Sequence, residues 1–311
     1  MAKTVLITGG AGFIGSALVD RLGAAGQEVH VLDDLSFGRR ELAQVPDERF
    51  HRVDIRDRAA VARTIAQVRP HTVLHLAAVH FIPYCNRHPV EAADININGT
   101  VHVLDACAAV PEVRQVFVAS TAAVYPIADG AMAEDHPTGP LDIYGTTKLA
   151  TERIAAAFHA SSGIPTIVGR FFNAFGPNET NPHLIPEIQQ QVLKGARTLR
   201  LGNLDPKRDF IHTADMARAM EALLNAGVEG FDVFNIGRGI EYSVREIVEA
   251  FERQLGEPLA IEVDPARVRQ VERMHLLADV GKLKRVTGWE PKWGIDEGVA
   301  TLLKEDLAPL R

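Results

Sequence analysis

Short β-branched runs alternate with helical stretches through the first 170 residues, and this alternation limits the possible folds more than any other feature. The runs occupy residues 5–7, 28–32, 50–53, 72–76, 113–118 and 166–168. Helical patterns lie between them, notably over residues 90–109 and 142–162. Because a strand–helix–strand unit joins parallel strands by a right-handed crossover, the pattern predicts an α/β fold with a doubly wound parallel sheet.

After Arg170 the rhythm changes. Pro and Asn become frequent from Phe175 to Pro186, which indicates loops. The remaining residues mix short strands and helices, so we predict a smaller mixed α/β lobe at the C-terminus. We assign residues 1–170 to the first domain, with a return segment near 214–237 that includes a strand at 232–236. The second lobe takes residues 171–213 and 238–311.

Composition and charge exclude several classes of protein. The net charge is −7, which argues against a nucleic-acid-binding surface. The two cysteines, Cys85 and Cys107, lack metal-ligand spacing and cannot form a disulfide framework, which indicates a reduced, cytoplasmic protein without a metal site. No apolar run reaches the ~18 residues of a membrane span. The apolar N-terminal run is too short for a signal peptide and continues into glycines.

A glycine-rich turn after the first strand indicates a dinucleotide site. Gly9, Gly12 and Gly15 follow the strand directly and open a helix. Glycines there allow a tight turn, close approach of the backbone to a pyrophosphate, and close helix–strand packing. The N–H groups at the start of the helix can then bind phosphate oxygens.

An acid at the end of the second strand supports the same interpretation. Asp33 lies 18 residues after Gly15, near the ~20 typical of a ribose-binding acid. Its carboxylate would repel a 2′-phosphate and favours NAD over NADP, while Arg39 and Arg40 keep NADP open. The alternative for the whole segment is an ordinary strand–helix turn with a surface aspartate.

Tyr144 and Lys148 are four residues apart and share one face of a predicted helix, with Asp142 as its N-cap. A phenol with a pKa near ~10 is a poor base at neutral pH. We expect the lysine ammonium, the positive helix end and NAD⁺ to lower that pKa. Ser120 and Thr121 end the fifth strand, where a hydroxyl can bind the same substrate oxygen. The alternative is a pair of surface residues.

Further motifs follow in a fixed order along nearly the whole chain. They are Thr8 to Gly15, Asp33-Asp34-Leu35-Ser36, Asp54-Ile55, His75-Leu76-Ala77-Ala78, Asn96-Ile97-Asn98-Gly99-Thr100, Ser120 to Tyr125, Tyr144 to Lys148, Arg170-Phe171-Phe172-Asn173 and Arg208-Asp209-Phe210-Ile211-His212. In this order they resemble the extended short-chain dehydrogenase/reductase family, in its NDP-sugar epimerase and dehydratase branch, and most of all its UDP-glucose and UDP-glucuronate 4-epimerases. The resemblance implies a Rossmann fold, NAD as cofactor, a nucleotide-sugar-binding lobe, and a homodimer built from the helices at 90–109 and 142–162.

The resemblance also implies a role at each matching position. The catalytic residues would be Thr121, Tyr144 and Lys148, with Tyr144 as the base. The cofactor would contact Gly9, Gly12, Phe13, Ile14, Gly15, Asp33, Asp34, Ser36, Asp54, Ile55, Leu76, Ala77, Ala78, Asn96, Tyr144 and Lys148. The nucleotide sugar would contact His80, Thr121, Tyr144, Asn173, Arg208 and Arg269. For His80 the alternative is a histidine packed in a loop.

The two residues after Thr121 distinguish the reactions of this branch. The family's dehydratases carry an Asp-Glu pair there and its decarboxylases a Glu, whereas this chain has Ala122 and Ala123. Alanine supplies neither acid nor base, so redox chemistry alone remains. The sequence therefore predicts an NAD-dependent 4-epimerase of a UDP-hexose or UDP-hexuronate. The alternatives are an NDP-sugar dehydratase, another sugar-modifying enzyme of the branch, and a non-catalytic NAD-binding regulator.

Overall fold

The computed structural model describes residues 3–179, 181–268 and 273–304. Its strands are β1 (Thr4–Thr8), β2 (Glu28–Asp33), β3 (Phe50–Arg52), β4 (Thr72–His75), β5 (Gln115–Thr121), β6 (Ala131–Met132), β7 (Thr166–Phe171), β8 (Asn173–Phe175), β9 (Thr198–Leu201), β10 (Lys207–His212), β11 (Phe231–Ile236), β12 (Glu241–Ser243), β13 (Ala260–Val263) and β14 (Leu277–Ala278). Its α-helices are α1 (Phe13–Ala24), α2 (Arg58–Val68), α3 (Ile82–Arg87), α4 (Pro89–Ala93), α5 (Gly99–Ala108), α6 (Ile143–Ser162), α7 (Leu184–Leu193), α8 (Thr213–Asn225), α9 (Val244–Leu255), α10 (Gly281–Thr287) and α11 (Ile295–Leu302).

Seven parallel strands form the central sheet in the order β11-β7-β5-β4-β1-β2-β3. The chain runs outward from β1 to one edge and then from β4 toward the other, so the order reverses between β1 and β4. In such sheets the crevice at the carboxyl ends of these two strands is the usual ligand site. The predicted doubly wound parallel sheet is confirmed.

Helices cover both faces of this sheet. Successive residues of a strand point to opposite faces, so each strand contributes to the apolar core on both sides. Ile7 of β1 belongs to an apolar cluster with Leu18 of α1 and Met216 of α8. Leu6, its neighbour, belongs to a second cluster with Val103 of α5. A strand that is buried on both faces is apolar on both, so its sequence is a continuous apolar run and does not alternate between apolar and polar residues.

The helix predicted over residues 90–109 is interrupted. A π-helical turn, Asp94–Asn98, joins α4 to α5. Within it the Asn96 carbonyl accepts the Thr100 hydroxyl at 2.6 Å, and the Asn96 side chain bonds to both backbone groups of Val79. Single π-helical turns of this kind are frequently found at functional sites.

After β7 the chain leaves the central sheet and builds a smaller layer. Strands β12, β10 and β8 form one short sheet, and β13 and β9 form another. Their apolar cluster includes Phe175, Ile188, Phe251 and Val299. Strand β11 then pairs with β7 at the edge of the central sheet. The domain boundaries given above stay predictions.

Among the described residues, no helix combines the length and the apolar character that crossing a bilayer requires.

Candidate active site

The turn between β1 and α1 has room for glycine alone at two positions. Gly9 has a φ of +73°, and a Cβ there would lie 2.7 Å from the Ala77 nitrogen. A Cβ on Gly15 would lie 2.1 Å from the Gly9 carbonyl oxygen. Helix α1 begins after Gly12 with no side-chain cap. Its first-turn N–H groups therefore have no partner within the helix and suit a phosphate.

A cleft of about 1130 Å³ extends from this turn to the C-terminal lobe. A pocket for one small ligand has roughly 300–1,000 Å³, so this volume leaves room for a cofactor and a substrate together. The predicted residues that line it are Gly9, Gly12, Phe13, Ile14, Gly15, Asp33, Asp34, Ser36, Asp54, Ile55, Leu76, Ala77, Ala78, His80, Thr121, Tyr144, Lys148, Asn173 and Arg208. Arg269 lies outside the described residues.

Asn96 is the predicted cofactor residue that the structure does not place on the cleft. Its side chain is fully buried and bonds to the Val79 nitrogen at 2.8 Å, the Val79 carbonyl at 3.0 Å and the Thr147 hydroxyl at 3.0 Å. All of these bonds go to protein groups, and direct contact of Asn96 with the cofactor stays a prediction. Asn96 ties the loop after β4 to helix α6.

Asp33 ends β2 with its carboxylate fixed at the cleft. One oxygen accepts the Ala11 N–H at 3.0 Å and the other the Leu35 N–H at 2.9 Å. Burial raises the pKa of Asp33, and these two backbone bonds oppose the rise. An acceptor fixed in this way suits the hydroxyl groups of a ribose.

Arg39 and Arg40 are the residues that left NADP as an alternative cofactor, and both are bonded to other groups of the protein. Arg40 donates to two backbone carbonyls and to Asp47, and its guanidinium lies 4.5 Å from the Phe50 ring centroid. Arg39 donates instead to the Asn178 side chain at 3.2 Å. A 2′-phosphate would thus meet Asp33 first, which favours NAD.

Helix α6 begins where the sequence predicts, with Asp142 as its cap. The Asp142 carboxylate accepts the Gly145 N–H at 2.8 Å, which places Tyr144 in the first turn. Thr121 ends β5, and its side chain hydrogen-bonds Tyr144. The predicted hydroxyl, phenol and lysine thus meet in one part of the cleft.

The pKa of Tyr144 differs in direction from the one that the sequence predicts. Desolvation raises the pKa of Tyr144, while the hydrogen bond from Thr121 lowers it and Asp142 raises it further. The prediction that Lys148 lowers this pKa is wrong, since burial outweighs the favourable bond and Lys148 does not contribute. Burial lowers the pKa of Lys148 itself to about 8, against the opposing charge of Glu152.

Beneath the lysine lies a buried ion pair. Arg170 donates to both oxygens of Glu152, at 2.9 and 2.8 Å, and the Ser120 hydroxyl donates to one of them at 2.5 Å. Sequence reasoning quoted Arg170 as a motif residue but missed Glu152. A signal was available, because Glu152 follows Lys148 by four residues and shares its helical face.

The opposite wall of the cleft carries positive charge. Asn173 starts β8 beside Phe210 of β10, and Arg208 lies two residues earlier on β10. Arg208 donates to the carbonyls of Lys207 and Arg273, at 2.8 and 2.6 Å. The cleft is also lined by Arg273 and Arg267, which sequence reasoning missed. Such a cluster suits a diphosphate.

His80 faces the cleft and contacts the second lobe. Its Nε2 lies 3.1 Å from the Asn181 amide nitrogen, and its ring centroid lies 6.0 Å from that of His183. The Glu179 carboxylate accepts the Asn181 N–H at 2.8 Å. All four side chains line the same part of the cleft. No motif pointed to Glu179, Asn181 or His183.

The model of the GDP-mannose 4,6 dehydratase family matches residues 6–302. The chain belongs to the NDP-sugar epimerase and dehydratase branch of the short-chain dehydrogenase/reductase family. This match covers most of the chain and confirms the family resemblance that the motifs indicate.

Individual members of the family agree with this assignment. The UDP-glucose 4-epimerase of Bacillus subtilis is 32% identical over an alignment of 322 positions, gaps included, that covers 94% of each chain. A UDP-glucose 4-epimerase of Thermus thermophilus, solved with NAD, is 32% identical and superposes with a TM-score of 0.86 over 96% of this chain and 97% of that one. MoeE5, solved with UDP-glucuronic acid and NAD, is 32% identical with a TM-score of 0.84 over the same shares of the two chains.

Proposed function

We propose that this chain is an NAD-dependent UDP-sugar 4-epimerase. The observation that carries the proposal is the meeting of Thr121, Tyr144 and Lys148 in one cleft, with two alanines directly after Thr121. The first three residues serve oxidation and reduction at a hydroxyl-bearing carbon. The alanines offer no group for elimination.

The residues at the β1–α1 turn fit NAD. The uncapped first turn of α1 would hold the diphosphate, and Asp33 the adenosine ribose. Asp54 and Ile55 would flank the adenine, and Lys148 would hold the nicotinamide ribose. When bound, NAD⁺ supplies hydride acceptance from C4 of the sugar and hydride return to it.

Tyr144 would take the proton of the C4 hydroxyl and later return it. Thr121 hydrogen-bonds Tyr144 and can bind the same sugar oxygen. Lys148 follows Tyr144 by one helical turn on α6 and would hold the cofactor beside the phenol. Together the three side chains hold and move one proton at one oxygen, which is all that a 4-epimerase asks of its acid–base groups.

The substrate we infer is a UDP-hexose or a UDP-hexuronate. Asn173, Arg208 and Arg269 would bind its diphosphate, with His80 at the sugar. Both sugar classes are represented among the relatives, as a UDP-glucose 4-epimerase and as a protein solved with UDP-glucuronic acid. The same proposal places the enzyme in the cytoplasm as a homodimer.

A panel of UDP-, dTDP- and GDP-linked sugars, followed by NMR at C4, tests the proposal. Inversion at C4 of a UDP-sugar without loss of mass is the expected result. A product lighter by one water would indicate a dehydratase instead. Bound NAD without turnover of any nucleotide sugar would indicate the regulator.

A further inference from the structure

We propose that Glu152 and Arg170 are positioning residues for Lys148. Arg170 holds the Glu152 carboxylate away from the lysine, so that the Lys148 ammonium stays directed to the cleft. The inference rests on the proposed function for the use of Lys148, but its geometry belongs to the chain alone.

Lys148 and Glu152 would be expected to bind each other. They are four residues apart on α6, and they are only 2% and 5% exposed. Oppositely charged side chains at this spacing meet on a helix, and a buried charge needs a partner. The partner of Glu152 is nevertheless Arg170, at 2.8 Å.

Three hydrogen bonds hold the carboxylate of Glu152. One oxygen accepts Arg170 Nε at 2.9 Å and the Ser120 hydroxyl at 2.5 Å, and the other accepts Arg170 Nη2 at 2.8 Å. A two-point bond between guanidinium and carboxylate fixes direction as well as distance. Because these bonds already stabilise the Glu152 carboxylate, a further bond from Lys148 would stabilise it little more.

Arg170 is itself held in place. Its Nη1 donates to the Tyr125 hydroxyl and to the Glu134 carbonyl, each at 2.9 Å, and its guanidinium lies 4.9 Å from the Tyr125 ring centroid. The Tyr125 hydroxyl donates in turn to Asn235 at 2.7 Å. The ion pair is thus linked from Arg170 on β7 through Tyr125 to Asn235 on β11.

The charge of Lys148 depends on few neighbours. Tyr144 and Glu152 lie on its own helix, and His75 of β4 and His80 after it feel its charge. The pKa of Lys148 is about 8, with Glu152 the group that raises it. A change in the balance between Glu152 and Arg170 would therefore alter the charged fraction of Lys148 near neutral pH.

The experiment measures the titration of Lys148 directly. The full chain is labelled with [ε-¹³C]lysine, and the Lys148 resonance is identified by its loss in Lys148→Met. Glu152→Gln removes the negative charge and leaves Arg170 unopposed, so the midpoint should fall by about one pH unit. Arg170→Met frees Glu152 to bind Lys148, so the midpoint should rise by about as much.

Arg218→Met is the matched control. Arg218 forms an ion pair at 2.6 Å with Asp215, whose side chain is 1% exposed, and neither residue lines the cleft. Its loss should reduce stability and leave the Lys148 midpoint unchanged. Arg170→Lys, which keeps the charge, should shift the midpoint less than Arg170→Met and serves if the latter does not fold.

Shifts of opposite sign in the two variants would support the positioning role. Shifts in the same direction, or none, would overturn it, because loosened packing would hydrate Lys148 and raise its pKa in both. The alkaline limb of kcat/KM should move with the NMR midpoints. Since the NMR titration needs no turnover, it decides this inference even if the epimerase proposal fails.

Discussion

The side chain of Thr121 hydrogen-bonds the phenol of Tyr144 and so joins the end of β5 to the first turn of α6. This bond favours the ionised phenol, whereas desolvation in the cleft opposes ionisation. Desolvation therefore favours the protonated form of Tyr144, and the Thr121 hydroxyl favours its ionised form.

Tyr144→Phe should lower turnover at least ~100-fold while the chain still retains NAD, because the variant keeps the ring and loses only the oxygen that carries the proton. Initial rates with the best UDP-sugar, together with the nucleotide content of the purified variant, provide the measurement. Tyr84→Phe is the matched control, since Tyr84 also lines the cleft but donates to Glu91 at 2.8 Å. Near-normal turnover of Tyr144→Phe would remove Tyr144 from the mechanism.

Much of the fold could be predicted because its signals are local. The strands are continuous apolar runs, and Asp142 caps α6 as its residue type predicts. The edge strand β11 was also expected within the return segment. Boundaries were less accurate: β7 continues to Phe171, beyond the predicted residues 166–168, since pairing within the sheet extends the strand.

The site could be predicted only in part, because several of its residues carry no local signal. Asn96 belongs to a family motif, yet its side chain serves the Val79 backbone, which only the π turn between α4 and α5 explains. The pKa of Tyr144 depends on how deeply the phenol lies, and spacing along a helix does not report depth. Glu179 comes to the cleft by a loop of the second lobe.

The chain purified without added cofactor should release NAD(H), and not NADP(H), on denaturation. Asp33 is fixed by the Ala11 and Leu35 N–H groups at the position of the adenosine ribose, where its charge would repel a 2′-phosphate. Chromatography of the released nucleotide gives the answer. Recovery of NADP(H) would contradict the role proposed for Asp33.

Arg39→Met should speed cofactor release about tenfold, as expected from the loss of one charge-assisted hydrogen bond. Arg39 donates to Asn178 and so links the loop after β2, whose residues 36–38 line the cleft, to the second lobe. The release of bound NADH, followed by its fluorescence, provides the measurement.

Asn178→Gly is the partner variant for this test. Asn178 has a φ of +72°, which glycine adopts without strain, so the substitution removes the acceptor and keeps the turn. It should speed release to a similar extent, and the double variant should be no faster than either single one. Additive effects would show that the two residues act separately.

Turnover in deuterated water should leave every sugar carbon unlabelled. In an epimerase the hydride leaves C4 and returns to C4 without meeting solvent, and no other C–H bond breaks. A dehydratase must lose the C5 proton and receive one from solvent there, and Ala122 and Ala123 offer no group for that transfer. The product should have the mass of the substrate and the opposite configuration at C4. Deuterium at C5, or loss of water, would contradict the epimerase proposal. A glucuronate substrate could also be labelled at C5 by decarboxylation. Release of carbon dioxide would identify that reaction.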